Sequence, residues 1–136
     1  MLIQTPASRR KLSTEIAKEL RRSQQQRIKQ QKAPDGTPYQ VRKRQLLRAK
    51  KGRIKRAMFQ KLRTSRYLKA SGHNDAAVVE FTGKVQRIAQ VHQFGLKDTP
   101  NKYSQIIPYP VRQLVGVNDS NVETVMNRVY KYLYSK

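Results

Sequence analysis

The chain contains no cysteine among its 136 residues. That excludes disulfides, thiolate metal sites and cysteine nucleophiles. Carboxylates are scarce as well, with 8 Asp and Glu against 30 Lys and Arg. Glu15, Glu19, Asp35, Asp75, Glu80, Asp98, Asp119 and Glu123 are spread singly along the chain. No acidic cluster of the kind a metal-dependent nuclease uses can be read from them. A zinc site would need more ligands than His73 and His92, the only two histidines. The six glycines are scattered, form no phosphate-cradling loop and frame no Gly-x-Ser-x-Gly turn. No apolar run approaches the roughly 20 residues of a membrane span. The start, MLIQTPASRRKL, lacks the charged-then-apolar order of a signal peptide. A soluble protein outside the secretory route is expected, with no cofactor and no membrane partner.

What is present is positive charge, unevenly placed. The formal net charge is +22. Residues 1–70 carry 22 basic and 3 acidic side chains, a net of +19, while residues 71–136 carry 8 and 5, a net of +3. The densest run, VRKRQLLRAKKGRIKR (41–56), places Arg42, Lys43, Arg44, Arg48, Lys50, Lys51, Arg53, Lys55 and Arg56 within sixteen residues. Such a segment repels itself unless an anion lies near, either phosphate or an acidic protein. Aromatic residues near it are few, only Tyr39, Phe59 and Tyr67. Stacking on single-stranded bases is therefore disfavoured relative to sequence-independent backbone contact. A hydrophobic share of 37% is low for a compact domain, so part of the surface is expected to be completed by a partner.

The length fits one domain, 1–136. Thr5-Pro6 opens a long basic helix with Leu12, Ile16, Leu20 and Ile28 as its apolar stripe. It should stop before Ala33-Pro34. Pro34-Asp35-Gly36 forms a turn. Ile54, Met58, Phe59 and Leu62 recur at helical spacing. Segments 65–70 and 76–83 read as a hairpin about a Ser-Gly-His-Asn-Asp turn. Val85, Ile88, Ala89 and His92 share the face of a short helix ending near Gly95. Two prolines limit any strand in 106–116 to a short or edge position. Ser120 and Glu123 have capping-box spacing ahead of a terminal helix, about 120–134, with Val122, Val125, Met126, Val129 and Leu133 along one face. The expected class is α+β: a long basic N-terminal helix, a small antiparallel sheet with a hairpin, a short helix and a C-terminal amphipathic helix.

His92 is the one residue that invites a catalytic reading. Its sequence neighbours Gln90 and Gln93 do not titrate, so the expected role is structural, in a packed helix end. His73, in a turn, is expected to be exposed. Ser120 reads as a cap and not a nucleophile. Tyr130, Tyr132 and Tyr134 suit either an interface or a half-wet helix face.

RIKQQKAPDGTPYQ (27–40), MFQKLRTSRYLKA (58–70), RIAQVHQFG (87–95) and YPVRQLVGV (109–117), in this order, resemble the phage virion morphogenesis family, the tail completion proteins of contractile-tailed phages. The resemblance runs from about residue 10 to 134. It implies a structural, non-enzymatic virion protein assembled in the host cytoplasm. Such a protein closes the head-proximal end of the tail and helps join tail to head at the neck. Implied partners are the tail tube, tail terminator and head connector. Sixfold tail symmetry adds the expectation of a ring, a hexamer around the DNA channel. Positions carried over as fold-defining or interface residues are Pro34, Asp35, Gly36, Ala89, His92, Gln93, Phe94, Gly95, Pro110, Arg112 and Gly116. Tyr39 stands where relatives often have Trp. The alternative from another class is a stand-alone non-specific nucleic-acid-binding protein.

Overall fold

The structure, a computed structural model, describes residues 5–42, 57–99 and 105–134. It is α+β. Its long helix, α1 (Pro6–Lys29), begins as the sequence predicts: the Thr5 hydroxyl accepts the Ser8 N–H at 3.0 Å, and Pro6 occupies the first turn. Its 24 residues extend about 36 Å at 1.5 Å each. Ile16, Ala17 and Ile28 are buried, while Leu12 and Leu20 are half-buried.

The helix stops earlier than Pro34 requires. Gln31 has φ 60. Its N–H donates to the Ile28 carbonyl at 2.9 Å, and that of Lys32 donates to the Arg27 carbonyl at 3.0 Å. These are the two bonds of a Schellman end, with glutamine where glycine is usual. The left-handed conformation costs a non-glycine residue about 1 kcal/mol. The Gln31 side chain offsets this by bonding outward. Its amide N–H donates to the carbonyls of Ile28 (2.8 Å) and Met58 (2.9 Å), and its oxygen accepts the Met58 N–H (2.9 Å).

The expected helix around Met58 does not form where the chain is described. Residues 58–67 are a run of turns, and Phe59 has φ 67, which no right-handed helix interior accommodates. Met58, Phe59 and Leu62 still serve as anchors, two of them buried and Phe59 packed against the core. Ile54, the remaining residue of that predicted pattern, lies outside the described residues.

The hairpin is present with a shifted turn: β1 (Leu68–Gly72) pairs antiparallel with β2 (Ala77–Phe81), Leu68 opposite Phe81 and Gly72 opposite Ala77. Ser71 and Gly72 therefore belong to a strand, and His73 is exposed in the turn. α1 lies across this hairpin so closely that a Cβ on Gly72 would sit 2.2 Å from the Thr14 backbone nitrogen. α2 (Gln86–Phe94) ends as predicted at Gly95, φ 65. Its buried arc keeps Val85, Ala89 and His92 from the predicted face and exchanges Ile88 for Val91. Ala89 and Val91 are buried, His92 is half-buried and Ile88 faces solvent. β3 (Lys97–Asp98) and β4 (Ile107–Pro108) pair antiparallel for two residues each.

α3 (Asp119–Tyr134) occupies the predicted span with a different cap and a different rotation. Asn118 and Asn121, not Ser120 and Glu123, exchange the capping-box bonds. The Asn118 side chain accepts the Asn121 N–H at 2.8 Å, and the Asn121 side chain accepts the Asn118 N–H at 3.2 Å. α3 then runs antiparallel along α1 by polar contacts. Asn121 donates to the Ser23 hydroxyl at 2.7 Å, and Arg128 pairs with Glu19 at 2.8 Å and Glu15 at 3.4 Å. Tyr132 shares a hydrogen bond with Ser8. The packed face is thus rotated from the predicted one and shares only part of it. Val125, Val129 and Leu133 are half-buried, while Val122 and Met126 are exposed.

The core lies between α1, the hairpin and α2. It contains Ile28, Tyr39, Met58, Leu62, Leu68, Phe81, Val85, Ala89 and Leu114.

Candidate functional site

Pro34, His92, Gln93, Gly95, Arg112 and Gly116, six of the residues singled out by sequence, meet on one strap, 109–118, which has no regular secondary structure and is held by side chains. Gln93, at the end of α2, does most of this. Its oxygen accepts the N–H groups of Leu114 (2.8 Å) and Val115 (3.1 Å), and its amide donates to the Val115 carbonyl (2.9 Å). One side chain thereby satisfies backbone groups that a strand partner would otherwise bond.

His92 and Arg112 form the second tie. The Arg112 N–H donates to the His92 carbonyl at 2.7 Å, and its guanidinium reaches the carbonyls of Gln40 (2.7 Å) and Val41 (3.4 Å). Its Nη1 lies 3.4 Å from His92 Nδ1. A guanidinium only donates, so Nδ1 accepts and the ring proton is assigned to Nε2. The imidazole stands edge-on between Phe59 and Tyr109, with centroids 4.8 and 5.1 Å away. Burial, then the charges of Arg112 and Arg42, push its pKa down to about 4. At neutral pH this ring is uncharged and a weak base. Among the described residues no carboxylate hydrogen-bonds to it. Its geometry is that of a packed brace.

Gly95 is forced by position: a Cβ there would lie 2.7 Å from Val111 Cγ2 and 3.2 Å from the Val111 nitrogen, at a left-handed φ. At the far end of the strap, Pro34 and Gly116 meet. A Cβ on Gly116 would come within 2.7 Å of Pro34 Cγ, and the Pro34 carbonyl accepts the Asn118 amide at 3.0 Å. Asp35 accepts the Thr37 N–H at 2.9 Å, and that bond holds its carboxyl below the usual range. Gly36 has φ 90. Ala89 is core, Pro110 half-buried, and Phe94 is 65% exposed. Tyr39 is buried, and its hydroxyl donates to the Gln113 carbonyl at 2.9 Å. Burial pushes its pKa up to about 12.

Sequence reasoning missed a buried polar knot on the same strap. Gln24 and Arg27, both on α1, are buried. Arg27 donates to the Gly116 carbonyl at 2.6 Å and to the Gln24 side chain, while Gln24 accepts the Gly116 N–H at 3.1 Å. Desolvation lowers the Arg27 pKa. On a basic, glutamine-rich helix, nothing in the sequence distinguishes these two residues from their exposed neighbours.

Of the expected anion-contacting residues only Arg42 is described; it is exposed and near enough for its charge to act on His92 and Arg112. Lys43, Arg44, Arg48, Lys50, Lys51, Arg53, Lys55 and Arg56 lie outside the described residues. The solvent face of α1 adds Arg10, Lys11, Lys18, Arg22 and Lys29, all exposed. Among the described residues, no three His, Asp or Glu side chains converge as metal ligands. No helix among them is long and apolar enough to cross a membrane.

Comparison with known proteins gives the family of the chain. No solved structure matches the chain. Over 130 residues it is 47% identical to "Tail completion protein S" of Escherichia phage P2, covering 95% of this chain and 87% of that protein. The model of the phage virion morphogenesis family matches residues 1–134. The chain belongs to the phage virion morphogenesis family.

Proposed function

We propose that the protein is a structural component of a phage tail that closes the head-proximal end and helps join it to the filled head. The observation that carries this reading is the whole-chain likeness to a tail completion protein. Its working parts are surfaces and not a catalytic centre. The strap residues fix the scaffold, and the basic half faces an anionic neighbour. On the tail the copies form a ring of six about the DNA channel, in contact with tail tube, tail terminator and head connector. Assembly takes place in the host cytoplasm, and the protein ends in the virion. Such a ring would carry six times +22, or +132, which DNA in the channel or acidic neck proteins must offset. A channel for moving DNA is served by backbone-type contact without base readout.

The second reading, a stand-alone non-specific nucleic-acid-binding protein, is favoured by the net +19 of residues 1–70. Charge reversal at Lys50, Lys51, Arg53 and Lys55 separates the two. With the phage supplied only with this variant, particles with heads and tails unjoined are the expected result. Normal joining combined with loss of free DNA binding would favour the second reading.

A further inference from the structure

α3 turns Asn121, Arg128 and Tyr132 towards α1, with Val125, Val129 and Leu133 half-buried beside them, and leaves a row of large apolar side chains facing outward. Opposite the residues that meet α1 stand Val122, Met126, Tyr130 and Tyr134, which are 46, 65, 65 and 67% exposed. Their four-residue spacing makes one row about 18 Å long. The Tyr130 and Tyr134 rings already lie against each other, 4.7 Å between centroids. A contiguous row of large apolar side chains on an otherwise soluble helix marks a contact surface.

We propose that a second copy of this chain covers this row, through an antiparallel α3–α3 contact about a twofold axis. The charge pattern selects both the occupant and the direction. Asp119 and Glu123 lie near the start of α3 and Lys131 near its end. Run antiparallel, two copies set Glu123 of each beside Lys131 of the other. Run parallel, they set like charges together. The row is self-complementary in the same register. Val122 meets Tyr134 of the second copy, and Met126 meets Tyr130, a thioether against an aromatic ring. An isologous contact requires this exchange of equivalent residues. The charge balance agrees. A chain of +22 repels its copies, and α3 belongs to residues 71–136, whose net charge is only +3.

The exposed row offers on the order of 500 Å² per copy, near the lower limit for a specific pair, so a reversible, concentration-dependent dimer is expected. The pairing itself does not depend on the tail role. One consequence does: a twofold pair has no direction, whereas a tail end has one. The pair is then the form of the free protein, and it separates as copies take their places on a tail.

The test is sedimentation velocity on the full-length, nuclease-treated protein from about 1 to 100 µM, a range that spans micromolar association. The mass should rise from one chain to two. Met126→Glu and Tyr130→Glu should each remain monomeric throughout, with an unchanged circular dichroism spectrum to show that these exposed sites leave the fold intact. Glu123→Lys and Lys131→Glu should each weaken pairing about fivefold or more, and the double variant, which restores opposite charges, should recover the original constant. A wild-type monomer at every concentration would overturn the proposal. So would a dimer or ring indifferent to Met126→Glu, or a charge-swapped double variant no better than either single one. None of these outcomes bears on head–tail joining, so the tail role stands or falls by its own experiment.

Discussion

His92 shows how one residue's environment decides its role. The folded ring titrates at about 4 against an ordinary 6.5. Between those values the unfolded chain takes up a proton that the folded chain refuses. Stability is therefore full above about pH 6.5, declines as pH falls towards 4, and levels off below. For a half-buried ring, partly screened by solvent, the loss is on the order of 1–2 kcal/mol. Thermal melts across this window should show the decline in wild type and a flatter profile in His92→Gln. That variant should also be less stable at pH 7 by about 1–2 kcal/mol through lost packing on Phe59 and Tyr109. A hydrolytic activity present in wild type and absent from His92→Gln would overturn the structural role. Glu19 adds a separate acid limit. Its hydrogen bond to Arg128 lowers its pKa below 4.5, so its contribution is present above that value and is lost as pH falls through the lower folded value. Gln93 gives a second residue-scale test. Gln93→Ala strands two backbone N–H groups of the strap and should cost about 2–3 kcal/mol by chemical denaturation. Gln93→Glu, which can accept both N–H groups but donates to nothing, should fall between the two.

At the scale of elements, the close approach of α1 to the hairpin rests on a missing side chain. The Cβ of a Gly72→Ala variant would meet Thr14 backbone at 2.2 Å. A helix backbone cannot yield locally, so β1 must move away from α1. The expected cost is about 3 kcal/mol or more, read as a lowered denaturation midpoint. A change below about 0.5 kcal/mol would show that α1 and the hairpin are not in this contact. The same scale explains the rotation of α3. Apolar periodicity marked Val122, Val125, Met126, Val129 and Leu133 as the packing face. The partner helix α1 presents Ser8, Glu15, Glu19 and Ser23 along the line where α3 lies. Hydrogen bonds and ion pairs therefore turned Asn121, Arg128 and Tyr132 inward and left the apolar row to a partner.

At the scale of the whole molecule, charge asymmetry sets the behaviour towards polyanions. Binding to duplex DNA should be independent of sequence, and the logarithm of its association constant should fall linearly with the logarithm of salt concentration. Replacing Lys50, Lys51, Arg53 and Lys55 by alanine should reduce that slope by about 4 if these side chains meet phosphates. An unchanged slope would assign them to an acidic protein neighbour. Fluorescence anisotropy at several salt concentrations measures it.

Local chemistry made much of this chain legible in advance. Thr5-Pro6 starts a helix, Gly95 ends one, a hairpin lies near residues 68–81, and a helix closes the described chain. Each depends on residues adjacent in sequence and on intrinsic backbone preference. The +19 and +3 division is a property of sequence alone. What only the tertiary structure decided required groups distant in sequence. Met58 makes a left-handed Gln31 tolerable and so stops α1 early. Ser23 favours Asn118 and Asn121 over the equally well-spaced Ser120 and Glu123 as the capping pair. Gly116 makes Arg27 and Gln24 buried partners instead of two more polar residues on a basic helix. The physical reason is common to all three. Periodicity and propensity identify which groups want partners, whereas which partner each obtains is fixed only when the chain brings remote segments together.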